Sequence, residues 1–233
     1  MSDSPKTISG SSRRSPIGDD WSYLLPMATF LGLTQIGVSW PNLFPAVYVV
    51  KTIATALLLA ICWPAFTRIS WHRWKLGIIV GVLGIVQWVG MEKLLLLMWP
   101  HYPRLHASVV DPFGDIENPV IRGVFLVFRW LGPTFVVPFM EELFWRDYLW
   151  RTLIAPNDFK LARIGEWDAK AFWIVPLLFA SVHIQWMTAL VWALMIGLLL
   201  LKTKSLGACV IAHGVTNFLL GAYVLWTHDW YFW

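Results

Sequence analysis

The stretch Val136-Val137-Pro138-Phe139-Met140-Glu141-Glu142-Leu143-Phe144-Trp145-Arg146 sets two glutamates and an arginine inside an otherwise oily run. A charge at membrane depth costs on the order of 2.5–3.5 kcal/mol on insertion scales, so three kept together point to a task. The rest of the chain says that the membrane cost applies. Of its 233 residues 58% are hydrophobic and only 14% charged, against about 25% charged in ordinary soluble domains. Mean hydropathy is +0.60. The apolar runs are continuous, whereas barrel strands alternate, and a helix satisfies its own backbone hydrogen bonds in lipid. The expected fold class is all-α, a multi-pass transmembrane helical bundle.

A crossing needs about 20 apolar residues. On that measure spans fall at 21–40, 43–66, 76–99, 134–154, 172–185, 188–201 and 206–226. The run 120–155 is too long for one span, over 50 Å at about 1.5 Å per residue against a ~30 Å hydrocarbon core. Gly132-Pro133 is the expected break, because proline has no N–H to continue a helix. The part before it, 120–131, carries Arg122 and Arg129 seven apart and is expected to lie at the membrane interface. The count is therefore seven, or eight if 120–131 also crosses.

Residues 1–20 are polar and read as a disordered cytoplasmic tail, leaving 21–233 as the transmembrane domain. The formal charge of +4 and a pI near 9.2 mark cytoplasmic loops and not a nucleic-acid partner. Those loops are the N-terminus, 68–75, 151–170 and Lys202/Lys204. The acidic loop 100–119 and the C-terminal tail then face the other side. Cys62 and Cys209 lie in apolar segments and read as small buried hydrophobes.

The polar residues within the later spans form a pattern. Glu142 and Arg146 are four apart, share a helix face and can pair. Glu141 is about 100° round the helix and is free to point elsewhere, so chemistry falls to it and electrostatics to its neighbour. A desolvated carboxylate suits a general base. His183 follows Phe179 by four and can hold the attacking water over the ring. His213 and Asn217, also four apart, can donate hydrogen bonds to a developing oxyanion. Counted from the basic ends of their helices, Glu141 and His183 lie about 18 Å deep and His213 about 10–12 Å. Bland readings stand beside each: a structural Glu–Arg pair, a histidine satisfied by packing, an asparagine as interhelical glue. Glu92-Lys93, near a helix end, reads as a snorkelling pair. The many tryptophans read as interface belts and packing.

These three motifs, Glu141-Glu142-x-x-x-Arg146, Phe179-x-x-x-His183 and His213-x-x-x-Asn217, resemble the ordered motifs of the CAAX protease and bacteriocin-processing family. The resemblance covers about 133–221. More narrowly, Glu141 to Arg146, Ala208 to His213 and the ending Trp230-Tyr231-Phe232-Trp233 are similar to the CAAX protease-related proteins of exosortase-containing bacteria. The resemblance implies a metal-independent glutamate endopeptidase without a cofactor, with a membrane-associated protein or peptide as substrate. It would sit in the lipid bilayer of a bacterial inner membrane, N-terminus in the cytoplasm. It implies that Glu141 and His183 activate water, that His213 and Asn217 stabilise the oxyanion, and that Glu142, Arg146 and Phe179 support them. One position departs: Asp147 stands where the family often has glycine, which puts local packing and substrate class in question.

Three other classes remain open on the residues alone. A zinc peptidase would use Glu141, His183 and His213 as ligands, although no HExxH is present. A non-catalytic scaffold or sorting partner would need none of the chemistry. A proton-coupled transporter also uses Glu and His, but the chain shows no repeated halves. Oligomeric state is not legible.

Overall fold

A computed structural model of the chain describes residues 18–104 and 110–233. Most of the expected N-terminal tail, residues 1–17, lies outside the described residues. Asp19 and Asp20, assigned to that tail, instead open the first helix.

Seven principal helices follow in order: α1 Asp19–Ser39, α2 Phe44–Cys62, α3 Trp74–Met98, α4 Pro119–Ile154, α5 Ala169–Ser181, α6 Trp186–Thr203 and α7 Leu206–Thr227. No strand occurs among the described residues. Five stretches are long and apolar enough to cross a membrane: Pro41–Ala65, Trp74–Met98, Pro119–Ile154, Trp186–Thr203 and Leu206–Thr227. With α1 and the shorter apolar α5, the bundle agrees roughly with seven spans. Its outer surface is apolar. On α2 the exposed residues Val50, Ile53, Leu57 and Ile61 form one stripe at helical spacing, the inverse of a soluble helix and suited to lipid.

The basic and acidic connections segregate to opposite ends. At the basic end Lys160 pairs with Asp19 at 2.6 Å. There Ser205 Oγ donates to the carbonyl of Ser70 at 2.8 Å and His72 Nε2 meets the carbonyl of Thr203 at 2.7 Å. At the other end Phe113 stacks on His228, and Trp186 Nε1 donates to the carbonyl of Pro103.

The closest helix packing joins α3 to α7. A Cβ added at Gly81 would lie 2.6 Å from Val215 Cβ and 2.7 Å from the carbonyl oxygen of Ala212. Gly77 and Gly84 meet Ala208 and Thr216 in the same way. Between helices in lipid, small residues at this spacing let backbones touch. The sequence reading drew nothing from these glycines, although their spacing was a signal.

One expectation is corrected. The break expected at Gly132-Pro133 does not occur: α4 is continuous over 36 residues. The helix absorbs the proline by widening to π-form over Gly132–Val136, a known way to accommodate a missing backbone bond. A second π-stretch, Leu143–Leu149, follows the glutamates. Over 120–131 the apolar residues Val120, Ile121, Val124 and Val127 are exposed, while Arg122 lies over Phe113 and Arg129 over Tyr48.

Candidate active site

The π-stretch at Pro133 generates a polar contact. Val137 N–H bonds to the carbonyl of Gly132 in the five-residue pattern. The carbonyl of Pro133 would in turn need the N–H of residue 138, which is a proline. That buried acceptor needs a partner from elsewhere. Asn217 Nδ2 supplies it from α7 at 2.8 Å. One N–H of the amide is thus engaged, which fixes how Asn217 presents its remaining atoms to the cavity it lines.

Eight residues along α4 from Pro133, Glu141 and Glu142 diverge as their 100° offset requires. Glu142 is fully buried. Its Oε1 accepts from Arg146 Nη1 at 3.2 Å and meets His213 Nδ1 at 2.8 Å. The pair expected from spacing is therefore a triad, with the histidine arriving from α7. An imidazole held at Nδ1 by a carboxylate directs Nε2 outward. Arg146 lies over the rings of Phe179 and Trp192, at 4.9 and 5.6 Å.

Glu141 instead lines a cavity of about 280 Å³ together with His183, His213, Asn217, Trp88 and Trp192. Its Oε2 is buried without a hydrogen-bond partner among the described residues. His183 follows the end of α5, where its Nδ1 lies 2.7 Å from the carbonyl of Phe179. A carbonyl only accepts, so Nδ1 carries the proton and Nε2 of the neutral ring is an acceptor. The ring stacks on Phe179 with centroids 4.2 Å apart. Phe179 stacks on Trp192 at 5.3 Å, and Trp192 meets His213 edge-on at 4.6 Å. An unbroken aromatic floor thus links the two histidines. The structure brings Glu141, His183, His213, Asn217, Glu142, Arg146 and Phe179 to one place.

Asp147 answers a different need. It is fully buried, pairs with Arg151, and accepts from Tyr23 of α1 at 2.9 Å and Thr67 at 3.1 Å. Arg151 in turn donates to the carbonyls of Ala162 and Lys160. This network has its partners supplied, as buried ion pairs require. It locks α1 and the basic-end loops onto α4. The triad and Glu141, by contrast, leave Glu141 Oε2, Glu142 Oε2 and Arg146 Nη2 unpaired. Buried polar atoms without a partner are uncommon, and a catalytic role and a bound water are among the reasons for them.

One reading of a single residue changes. Glu92 does not snorkel: it is fully buried and accepts from Thr188 Oγ1 at 2.7 Å and from the phenols of Tyr102 and Tyr231. Only Lys93 reaches outward, towards Asp229. Burial and the adjacent Glu92 carboxylate raise both phenols above their usual range, so they remain donors. They hold the C-terminal turn, from which Phe232 and Trp233 line the cavity. Trp88 and Trp192 belong to the tryptophans read as packing: both are buried and line the cavity. No group of three His, Cys, Asp or Glu side chains suited to a metal ion occurs among the described residues.

Residues 123–219 match the family described as type II CAAX prenyl endopeptidase Rce1-like. Over that segment the chain is similar to that family. The match supports an intramembrane endopeptidase of the CAAX protease type, and its bounds take in every polar residue of the site described above. No curated protein and no solved structure gives a match.

Proposed function

We propose that the chain hydrolyses a peptide bond of a membrane-associated substrate with water activated between Glu141 and His183, without a metal. The observation that carries this reading is a buried, unpaired carboxylate facing the same cavity as a histidine whose Nε2 is an acceptor. Water held by the two gives its proton to Glu141 as its oxygen adds to the scissile carbonyl carbon. The carbonyl becomes an oxyanion, which accepts from His213 Nε2–H and from the free N–H of Asn217. Such donors are usually the largest single term in acyl transfer. Glu142, 2.8 Å from Nδ1, holds the His213 ring with Nε2 towards the cavity. The tetrahedral centre then collapses: the C–N bond breaks, the leaving nitrogen takes the proton from Glu141, and a new carboxylate and amine remain. Trp88, Phe179 and Trp192 exclude bulk water, which strengthens each of these interactions. The substrate enters from the cytoplasmic side of a bacterial inner membrane, as positive-inside loops and the finer sequence resemblance suggest.

The test is cleavage of membrane-anchored reporter peptides, a farnesylated CAAX peptide among them, by purified protein. Cleavage should be indifferent to a chelator and fall about 10²–10⁴-fold in His183→Ala. Loss of activity on chelation, restored by zinc, would replace this mechanism with a metal-based one. A folded protein that cleaves no reporter in the panel would count against turnover and for a scaffold.

A further inference from the structure

We infer that Glu92, which does not itself line the catalytic cavity, is the residue that positions His183 for the reaction. Of the four groups in the catalytic proposal, Glu141, His213 and Asn217 stand on long helices. His183 stands instead in the turn 182–185 between α5 and α6. A side chain on a turn is placed only as well as the contacts that pin the turn. The turn's backbone hydrogen bonds tie it to its own hairpin: Val182 and His183 N–H donate to the carbonyls of Phe179 and Ala180, and Ala189 N–H to that of Gln185. Its anchor to the rest of the bundle comes from α3.

Trp88 and Glu92 share a face of α3, being four apart. The Trp88 ring meets the His183 ring edge-on, centroids 6.0 Å apart. One turn further, Glu92 Oε2 accepts from Thr188 Oγ1 at 2.7 Å, while Gln87 Nε2 donates to the Thr188 carbonyl at 3.1 Å. The first turn of α6 is thus pinned to α3 at both ends of one residue. Glu92 Oε1 accepts from the phenol of Tyr231, whose own carbonyl accepts from Gln185 Nε2 at 3.1 Å. Gln185 follows His183 by two and lines the cavity with it. Glu92 therefore holds the turn twice, through Thr188 and through Tyr231 and Gln185. Tyr102 donates to the same Oε1. A buried carboxylate is costly on a membrane helix. What it brings over an apolar side chain is direction, because it offers only acceptors and draws three hydroxyls from three segments to one point. Glu92, Tyr102 and Tyr231 all lie outside 123–219, so the anchor is separate from the segment that carries the catalytic groups. The need for it rests on the proposed function: a water held between His183 and Glu141 tolerates little displacement, and about 1 Å costs about 100-fold.

The test uses the full-length protein in phosphatidylcholine nanodiscs with Glu92→Gln, Thr188→Val and Tyr231→Phe, unfolding temperature confirming that each is folded. Glutamine keeps the shape but turns an N–H donor towards hydroxyls that need an acceptor; the other two variants remove one hydroxyl each. In reporter cleavage, kcat should fall about 10- to 100-fold in Glu92→Gln with KM unchanged, and by a smaller factor in the single-hydroxyl variants. The same substitutions are then placed in the His183→Ala protein, whose residual cleavage is followed over long incubations. There they should cost less than about twofold, because the group they position is gone. A contact that served only the fold would cost the same factor in both backgrounds. Hydrogen exchange gives a readout that needs no turnover. Residues 182–189 should exchange about tenfold faster in Glu92→Gln, while the helices that carry Glu141 and His213 stay as in wild type.

Wild-type kcat in Glu92→Gln, a change in KM alone, equal losses with and without His183, or unaltered exchange over 182–189 would each overturn the positioning role. The peptidase reading fails separately. A wild type that cleaves its reporter while the turn ignores Glu92→Gln keeps the peptidase and sinks the anchor. A turn that loosens in Glu92→Gln, in a protein whose wild type cleaves no reporter, keeps the anchor and sinks the peptidase.

Discussion

Glu141 and Glu142 are adjacent, yet replacing each by glutamine should have different consequences. No described residue makes a hydrogen bond to the Glu141 carboxylate, and its Oε2 is buried unpaired. An amide of the same shape there removes no protein contact. Stability should not fall, because the variant replaces an unpaired buried carboxylate by a neutral group of the same shape. The proton acceptor is lost, which costs about 10²–10⁴ in kcat, or roughly 2.7–5.4 kcal/mol of barrier. Glu142 instead holds Arg146 and His213 through one oxygen. Neutralising it leaves the Arg146 guanidinium, 1% exposed, without a counter-charge. A lost hydrogen bond within a membrane averages only about 0.6 kcal/mol, at most about 1.7. An uncompensated buried charge costs about 3–5 kcal/mol. The charge term therefore decides, and Glu142→Gln should lose stability and activity together. The assay pairs thermal unfolding in detergent, followed by tryptophan fluorescence, with reporter cleavage. Wild-type kcat in Glu141→Gln, or an unfolding temperature lowered as far as in Glu142→Gln, would refute the division of roles.

Asp147→Ala should destabilise the protein by about 3–5 kcal/mol by stranding Arg151, visible as a lower unfolding temperature and faster proteolysis of the basic-end loops. The fraction that remains folded should keep its kcat, since Asp147 contacts Tyr23, Thr67 and Arg151 and no residue of the catalytic proposal. Gly81→Leu should force α3 from α7, at about 1–3 kcal/mol or more for overpacking. It should lower the yield of folded protein in size-exclusion chromatography, whereas Gly90→Leu, with open space at its Cβ, should be tolerated.

The helical, membrane-spanning character of the chain was legible in residue order because hydropathy and span length are local properties. The pairing of Glu142 with Arg146 and the stacking of His183 on Phe179 were legible for the same reason, being contacts between residues four apart on one helix or at its end. The continuity of α4 through Pro133 was not, because the proline is accommodated by a widened turn whose orphaned carbonyl is satisfied by Asn217, 84 residues away. Glu92 was misread because its three hydroxyl donors come from three separate segments.

The sequence by itself determined that the chain crosses membranes as helices and which polar residues those helices carry, since both follow from properties a segment has before it packs. Only the tertiary structure decided that Glu142 is shared with His213 while Glu141 stays unpaired. It alone sealed Asp147 in a lock of its own, and gathered three hydroxyl donors from separate segments onto Glu92. Those outcomes depend on which faces the helices turn to one another, and that is set by packing between segments far apart in the chain.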